Sequence, residues 1–310
     1  MEVERVSADL PWPIEKLGVA FASRIPGASV SGSDNAQLVS ARSRRLERVL
    51  AGTGSDLVLG MGSTFEYHGL DVTFEDQTVA QSPLPSGAAK NRWIQRQKGI
   101  YESVQHCLTS TPWVRTSIIN DYGISPQKVT SVGLGANIVC QLVPKDWDRP
   151  KLLWVGVDWV RKGGDLLLAA FARAQIPNSS LDIVGRHPRI DMPGVRCHGE
   201  IRDEGRLRSF FEQSTLFVLP SVFDPSPLVF LEAASAGTPS IGTDTGGTRY
   251  NVGAGGEVVP ANDLEALIGA LQRMTVPEIA KGYSARAQAH AASHTWDAVA
   301  ARVLTAIDRG

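Results

Sequence analysis

The sharpest chemical signal in this 310-residue chain is Phe223-Asp224-Pro225-Ser226-Pro227-Leu228. It lies between an apolar strand pattern ending at Pro220 and a helical pattern ending at Gly237. Ser226 can cap that helix, Pro227 suits its first position, and Gly237 followed by Pro239 closes it. The first turn would then present the N–H groups of Leu228, Val229 and Phe230 at a helix end carrying a partial positive charge of about 0.5. Helix ends of this kind hold phosphate. Asp224 would face the same crevice, with Glu232 about one turn inside the helix.

Two further stretches point to the same chemistry. Asp158-Trp159-Val160-Arg161-Lys162-Gly163-Gly164 joins a strand to a helix. Its glycines allow a backbone to approach a ligand closely, Asp165 can cap the helix, and Lys162 or Arg161 could reach a diphosphate. Thr243-Asp244-Thr245-Gly246-Gly247-Thr248 is a glycine turn after another strand, able to form an anion-binding nest. Each stretch alone has a simpler reading as a surface charge or an ordinary turn. Their order on consecutive strand–helix units is what gives them weight.

The elements that must position these groups alternate regularly from Lys151 onward. Strand patterns cover Lys151–Val157, Leu181–Gly185, Val195–His198, Thr215–Pro220, Ser240–Thr243 and Glu257–Val259. Helical patterns cover Asp165–Gln175, Asp203–Gln213, Leu228–Ala236 and Asp263–Met274. This alternation predicts a parallel, doubly wound sheet, whose ligands bind at the carboxyl ends of the strands. The first half is α/β as well, with strands at Asp56–Gly60, Val72–Phe74, Gln105–Thr109 and Val129–Val132 and a helix through Trp113–Tyr122. Val139–Pro150 reads as a linker. Thr295–Asp308 places Trp296, Val299, Val303, Leu304 and Ile307 at the spacing of a docked amphipathic helix.

Composition bounds the function. A chain with 43% hydrophobic and 20% charged residues is a soluble globular protein, long enough for two domains. Lys and Arg total 31 against 32 for Asp and Glu, balanced in both halves, which argues against nucleic acid as a partner. Three scattered cysteines, Cys107, Cys140 and Cys197, suit a reducing compartment and form neither a disulfide framework nor a zinc cluster. Without a spanning apolar run or a signal core, a cytoplasmic location is expected.

Leu152–Pro260 resembles the C-terminal domain of retaining, nucleotide-sugar-dependent glycosyltransferases of the family 4 type. The resemblance rests on Asp224, seven intervening residues, then Glu232-Ala233-Ala234-Ser235-Ala236-Gly237-Thr238-Pro239 and the Gly246-Gly247 turn. Upstream, Val155-Gly156 through Arg161-Lys162-Gly163, Leu181–Gly185 and Gly199-Glu200-Ile201 fall in the family's order. Residues 100–138 match less specifically, through Ser110-Thr111-Pro112-Trp113, Tyr122-Gly123, Lys128-Val129 and Gly133–Asn137.

That resemblance implies the GT-B fold, two Rossmann-like doubly wound α/β domains facing across a cleft. Residues 1–148 would form an abbreviated acceptor-side domain, joined by the terminal helix 295–310, and residues 149–294 a nucleotide-sugar-binding domain. It implies a sugar moved from a nucleoside diphosphate to an acceptor with retention, no cofactor and no obligatory metal. Lys162, with Arg161 beside it, would stabilise the leaving diphosphate, and Glu232 would bind the ribose hydroxyls. Asp224, where the family usually has Glu, would contact the donor sugar. Gly156, Gly185, Gly246, Gly247, Leu228 and Val229 would line the donor, with Ile201 near the base. Two positions depart from the family: Val157 stands where Arg often follows the strand glycine, and Ser226-Pro227 where Phe-Gly is common.

Toward the acceptor, Glu75-Asp76 resembles the region where the family places a polar residue, and Asp76 or nearby His68 is the candidate, against the simpler reading of a solvated loop. Arg42, Arg44, Arg45 and Arg48 on one predicted helix, and Lys90, Arg92, Arg96 and Lys98 around Trp93, could touch an anionic membrane surface or acceptor. A solvated helix face is the simpler reading and is preferred. Cys197-His198 lacks a second pair at metal-ligand spacing, and Gly133-Leu134-Gly135 lacks the third glycine of a dinucleotide fingerprint. Two rival functions remain open: a catalytically weak nucleotide-sugar-binding protein or partner subunit, and a glycoside hydrolase using Asp224 and Glu232.

Overall fold

The computed structural model describes residues 59–61 and 71–308. His68, Arg42, Arg44, Arg45, Arg48 and most of the Asp56–Gly60 strand therefore lie outside the described residues. The chain divides into two compact units, one holding residues up to Ser110, Val114–Ser131 and the end from Thr305, the other Thr111–Trp113 and Val132–Leu304.

In the first unit, four parallel strands run in the order β1 (Leu59–Met61), β2 (Val72–Glu75), β3 (His106–Thr109) and β4 (Val129–Ser131). Every residue of β2 and β3 is buried, polar ones included, as in a parallel sheet covered on both faces. Helix α1 (Ala88–Ser103) connects β2 to β3, and α2 (Pro112–Asn120) connects β3 to β4. Helix α1 carries no apolar stripe, because its buried face is Gln97, Ile100 and Tyr101. Gln97 is buried as a bonding centre: its Oε1 accepts from Val79 N–H at 2.9 Å and from the Tyr122 hydroxyl, which in turn accepts from Ala80 N–H at 3.0 Å. That network fastens the chain after β2 to the helix.

The second unit holds a six-stranded parallel sheet in the order Gly256–Val259, Ser240–Thr243, Leu216–Leu219, Lys151–Gly156, Ser180–Gly185 and Val195–Cys197. Its strands are β5 (Lys151–Gly156), β6 (Ser180–Gly185), β7 (Val195–Cys197), β8 (Leu216–Leu219), β9 (Ser240–Thr243) and β10 (Gly256–Val259). The strand order reverses between β5 and β8, so the carboxyl ends of these two strands flank the topological switch point. Leu152, Leu153, Ile183, Phe217 and Ile241 fill the core between sheet and helices. The helices are α3 (Gly164–Ala174), α4 (Glu204–Gln213), α5 (Val229–Ser235), α6 (Thr248–Val252), α7 (Leu264–Met274), α8 (Pro277–Ala292) and α9 (Trp296–Ile307).

Local signals decide the helix ends. Asp203 and Asp263 cap α4 and α7, accepting from Arg206 N–H at 2.7 Å and Ala266 N–H at 2.9 Å. Two expected caps are corrected. Gly163 in the left-handed region begins α3, while Asp165 accepts from the Trp159 indole at 2.8 Å instead. Leu228, not Ser226, flanks α5, and no side chain caps it. The other end of α5 is as expected: Gly237 takes φ +63°, and the N–H groups of Gly237 and Thr238 return to Ala234 and Ala233, both at 2.9 Å. Helix α8 escaped the sequence reading because its buried residues are the small Ala280, Ser284 and Ala287, which leave no hydrophobic stripe.

Residues Val139–Pro150, read above as a linker, are folded onto the second unit, and the division between units falls at Ser131–Val132 instead. Cys140 N–H donates to Ser235 Oγ at 3.1 Å. The Lys145 ammonium donates to Ser214 O at 2.6 Å, Glu212 O at 2.7 Å and Thr238 Oγ1 at 2.9 Å, so it satisfies the carbonyls left open at the end of α4. Burial pushes its pKa down to about 8. Lys145→Met is expected to cost about 2–3 kcal/mol by leaving those carbonyls unpaired, read as a midpoint lowered by roughly 4–10 °C in thermal unfolding.

The terminal helix is partly as expected. Val299 and Ala306 are buried, but Trp296 and Leu304 are exposed. Trp296 Nε1 donates to Asn137 Oδ1 at 3.1 Å and Arg302 Nε to Val132 O at 2.6 Å. A Cβ on Gly135 would strike Trp296, so this glycine serves helix packing.

Candidate functional site

Three loops leave the carboxyl ends of β5, β8 and β9, and the structure brings them together. The β5 loop turns back on itself, with Lys162 N–H donating to Asp158 O at 2.9 Å and Arg161 N–H to Asp158 Oδ1 at 3.1 Å. Trp154 Nε1 donates to Lys162 O at 3.2 Å, which fixes the Lys162 backbone against the strand. The β8 loop is stitched to it by Val222 N–H donating to Arg161 O at 2.8 Å. Gly163 sits at φ +68°, and a Cβ there would overlap the Pro220 carbonyl oxygen. Only glycine allows these two loops to approach this closely.

The side chains meet at one carboxylate. Asp224, 6% exposed, pairs through Oδ2 with the Lys162 ammonium, and Arg161 Nη1 lies 3.8 Å from the same oxygen. Arg161 also donates to Phe223 O at 3.1 Å and to Asp158 Oδ2 at 3.2 Å. The β9 turn closes over the same segment: Gly247 N–H donates to Pro225 O at 2.7 Å, and Gly246 takes φ +54° with its Cα against the Asp224 carbonyl. The three loops singled out in the sequence thus come together here, while the pairing of Lys162 with Asp224 comes from the fold.

The remaining candidates are placed around this centre. Gly156 and Gly185 are register partners at the ends of β5 and β6, and a Cβ on Gly185 would overlap Gly156 O. Ile201 is partly buried against the core near the Gly185–Gly199 bond of 2.8 Å. At the start of α5, Phe230 N–H donates to Pro227 O at 3.3 Å and so is not open as expected, whereas Leu228 and Val229 N–H make no such bond among the described residues. Glu232 is held apart from the Lys162–Asp224 pair: its carboxylate accepts from Ile138 N–H. Burial pushes its pKa up to about 7, opposed by that N–H and reinforced by the Glu204 charge. Val157 is 61% exposed and brings no charge.

Asp76 lies in the first unit, directly after β2, with its surface exposed, and partial desolvation of its carboxyl raises its pKa against the N–H bonds of its own backbone and Gln77. Its neighbour Glu75 is no solvated loop residue: it is 2% exposed as the last residue of β2, accepting from Thr73 Oγ1 at 2.5 Å. Among the cysteines, Cys107 is buried with its thiol pushed up to about 12, while Cys197 is exposed. Among the described residues no three His, Cys, Asp or Glu side chains are grouped to hold a metal. No described helix is long and apolar enough to cross a membrane.

Sequence reasoning missed Asp158, which orients Arg161, and four buried polar atoms without a partner: Ser221 Oγ after β8, Thr245 Oγ1 in the β9 turn, and Thr248 Oγ1 and Asn251 Oδ1 on α6. Such atoms are uncommon in a folded interior. Nothing in the spacing of these residues could have separated them from ordinary loop and helix residues.

The α/β units with parallel sheets define a glycosyltransferase fold of the GT-B type, as comparison with solved structures bears out. Sucrose-phosphate synthase from Thermosynechococcus elongatus superposes with a TM-score of 0.70 at 22% identity, covering 87% of this chain and 77% of that one. The pneumococcal O-GlcNAc transferase, solved with UDP and GlcNAc, gives 0.65 at 16% identity, covering 86% and 59%. Residues 149–275 match the family described as glycosyl transferases group 1. A curated relative, D-inositol 3-phosphate glycosyltransferase of Streptomyces griseus, is 37% identical over 109 residues, 34% of this chain. That match spans only 23% of the relative's length.

Proposed function

We propose that the protein is a retaining glycosyltransferase that moves a sugar from a nucleoside-diphosphate sugar to an acceptor, with no obligatory metal. The observation that carries this reading is the meeting of Arg161, Lys162 and Asp224 at the switch point of a group 1 glycosyl transferase domain. A leaving diphosphate gains negative charge in the transition state, and fixed cations and N–H groups aimed at it lower the barrier without reorganising. Lys162 and Arg161 supply the charge, Leu228 and Val229 the amides, and Gly156, Gly185, Gly246 and Gly247 let backbone come close to the donor. Ile201 lies toward the base, Glu232 binds the ribose hydroxyls, and Asp224 serves the donor sugar. Asp76 is the acceptor-facing candidate. A glycan, lipid or small molecule is the acceptor class, and Lys90, Arg92, Arg96 and Lys98 on α1 are compatible with an anionic one.

Titration with UDP, GDP and ADP, followed by their sugars, tests the proposal. The expected result is binding of one nucleotide and slow release of its sugar with the anomeric configuration kept, followed by NMR. A chain that ignores all three would refute it. Binding without turnover would favour the second reading, a nucleotide-sugar-binding partner subunit, for which the uncharged Val157 speaks. The glycosidase reading is weakened because Asp224 is engaged by cations and Glu232 by a separate backbone donor.

Glu232 supplies a pH test. Its pKa of about 7 lies above the ordinary 4.5, so the folded chain takes up a proton between these values. Its contribution to stability is therefore complete below the lower value and lost as pH rises through the higher one. Donor binding runs the other way, since the ionised carboxylate accepts from both ribose hydroxyls. Affinity for the nucleotide sugar, whose diphosphate does not titrate in this range, is expected to rise through neutral pH, and Glu232→Gln to flatten the profile.

A further inference from the structure

We propose that Asp224 is an internal anion that locks Lys162 until a diphosphate takes its place, an inference that rests on the nucleotide-sugar reading of the site. The carboxylate is 6% exposed and lies under the two cations of the β5 loop. Lys162 is pinned along its backbone by Asp158 O and Trp154 Nε1, so its side chain starts from a fixed root beside Asp224. Arg161 is committed to Asp158 and to Phe223 O as well. Two acids thus offset two bases before any ligand arrives.

A buried ion pair is costly to break when nothing replaces the departing charge. Exchange avoids that cost. The incoming diphosphate takes the Lys162 ammonium as Asp224 leaves it, and the freed carboxylate becomes available to a hydroxyl of the donor sugar. Asp224 therefore has two successive partners: Lys162 in the free chain and the sugar in the loaded one. Free diphosphate binds weakly, because it must displace Asp224 and brings no sugar to receive it. The complete donor satisfies both groups, so the pair selects nucleotide sugar over nucleotide.

The test compares full-length wild type with Asp224→Asn, Asp224→Ser and Asp224→Glu at one pH and ionic strength. Calorimetric titration uses UDP, GDP, ADP and inorganic pyrophosphate, and acetic anhydride labelling at Lys162 is read by mass spectrometry. Loss of the lock is expected to tighten binding of free diphosphate about tenfold in the Asn and Ser variants, with Glu retaining the wild-type value. Lys162 labelling should accelerate several-fold in Asn and Ser alone. Unchanged or weaker diphosphate binding in a folded Asn or Ser variant overturns the proposal when wild type binds nucleotide. If no chain binds any nucleotide, the transferase reading falls and the labelling decides the lock: faster labelling upholds it, and equal labelling removes it.

Discussion

Lys162→Ala is expected to lower kcat by about 10²–10³-fold, the usual cost of removing one preorganised charge-stabilising donor. The fold should survive, because the contacts that build the β5 loop use the Lys162 backbone: its N–H donates to Asp158 O and its carbonyl accepts from Trp154 Nε1. Arg161 stays within 3.8 Å of Asp224, so the carboxylate is not abandoned. Steady-state kinetics with the identified donor, alongside circular dichroism, check the result. Full turnover in a folded variant would remove Lys162 from the chemistry. A loss confined to KM would make it a ground-state binding residue.

Gly163→Ala should have a large structural effect on this site. The residue holds φ +68°, where an L side chain is strained, and its Cβ would occupy the space of the Pro220 carbonyl oxygen. Backbone cannot rotate out of the way as a side chain can, so the β5 and β8 loops must separate. A loss of roughly 3 kcal/mol or more is expected, seen as a melting point lower by about 6–12 °C. Arg161 and Lys162 would move away from Asp224 together, and activity should fall even well below the melting transition. A variant with wild-type melting and kinetics would show that the close approach is dispensable.

The two results differ in kind: one removes a charge from an intact frame, and the other spreads the frame while leaving every charge in place. Together they separate the electrostatic contribution of Lys162 from the positioning that Gly163 permits.

How much of this was legible follows from the range of each interaction. Strands β5, β6, β8 and β9 are apolar runs set between glycines and polar turns, and Asp203 and Asp263 announce their helices by a bond three residues long, so a linear reading finds them. Helices α1 and α8 stayed hidden because the faces they bury are a glutamine network and small residues, whose partners lie far along the chain. For the same reason Val139–Pro150 looked like a linker: the acceptors of Lys145 are 67–93 residues away. Glu75 looked solvated because nothing local reveals that β2 is covered on both faces.

By itself the sequence determined that three loops follow the strands with glycine, lysine and helix-start residues within a few positions of one another, because those signals are local. Only the tertiary structure decided what those groups face. It set β5 beside β8 across the reversal of strand order, put Asp224 under Lys162 from 62 residues away, and gave Glu232 to Ile138 instead. Charge and hydrogen-bonding partners are fixed by proximity in space, and in a parallel sheet each neighbouring strand end is reached only after a crossover.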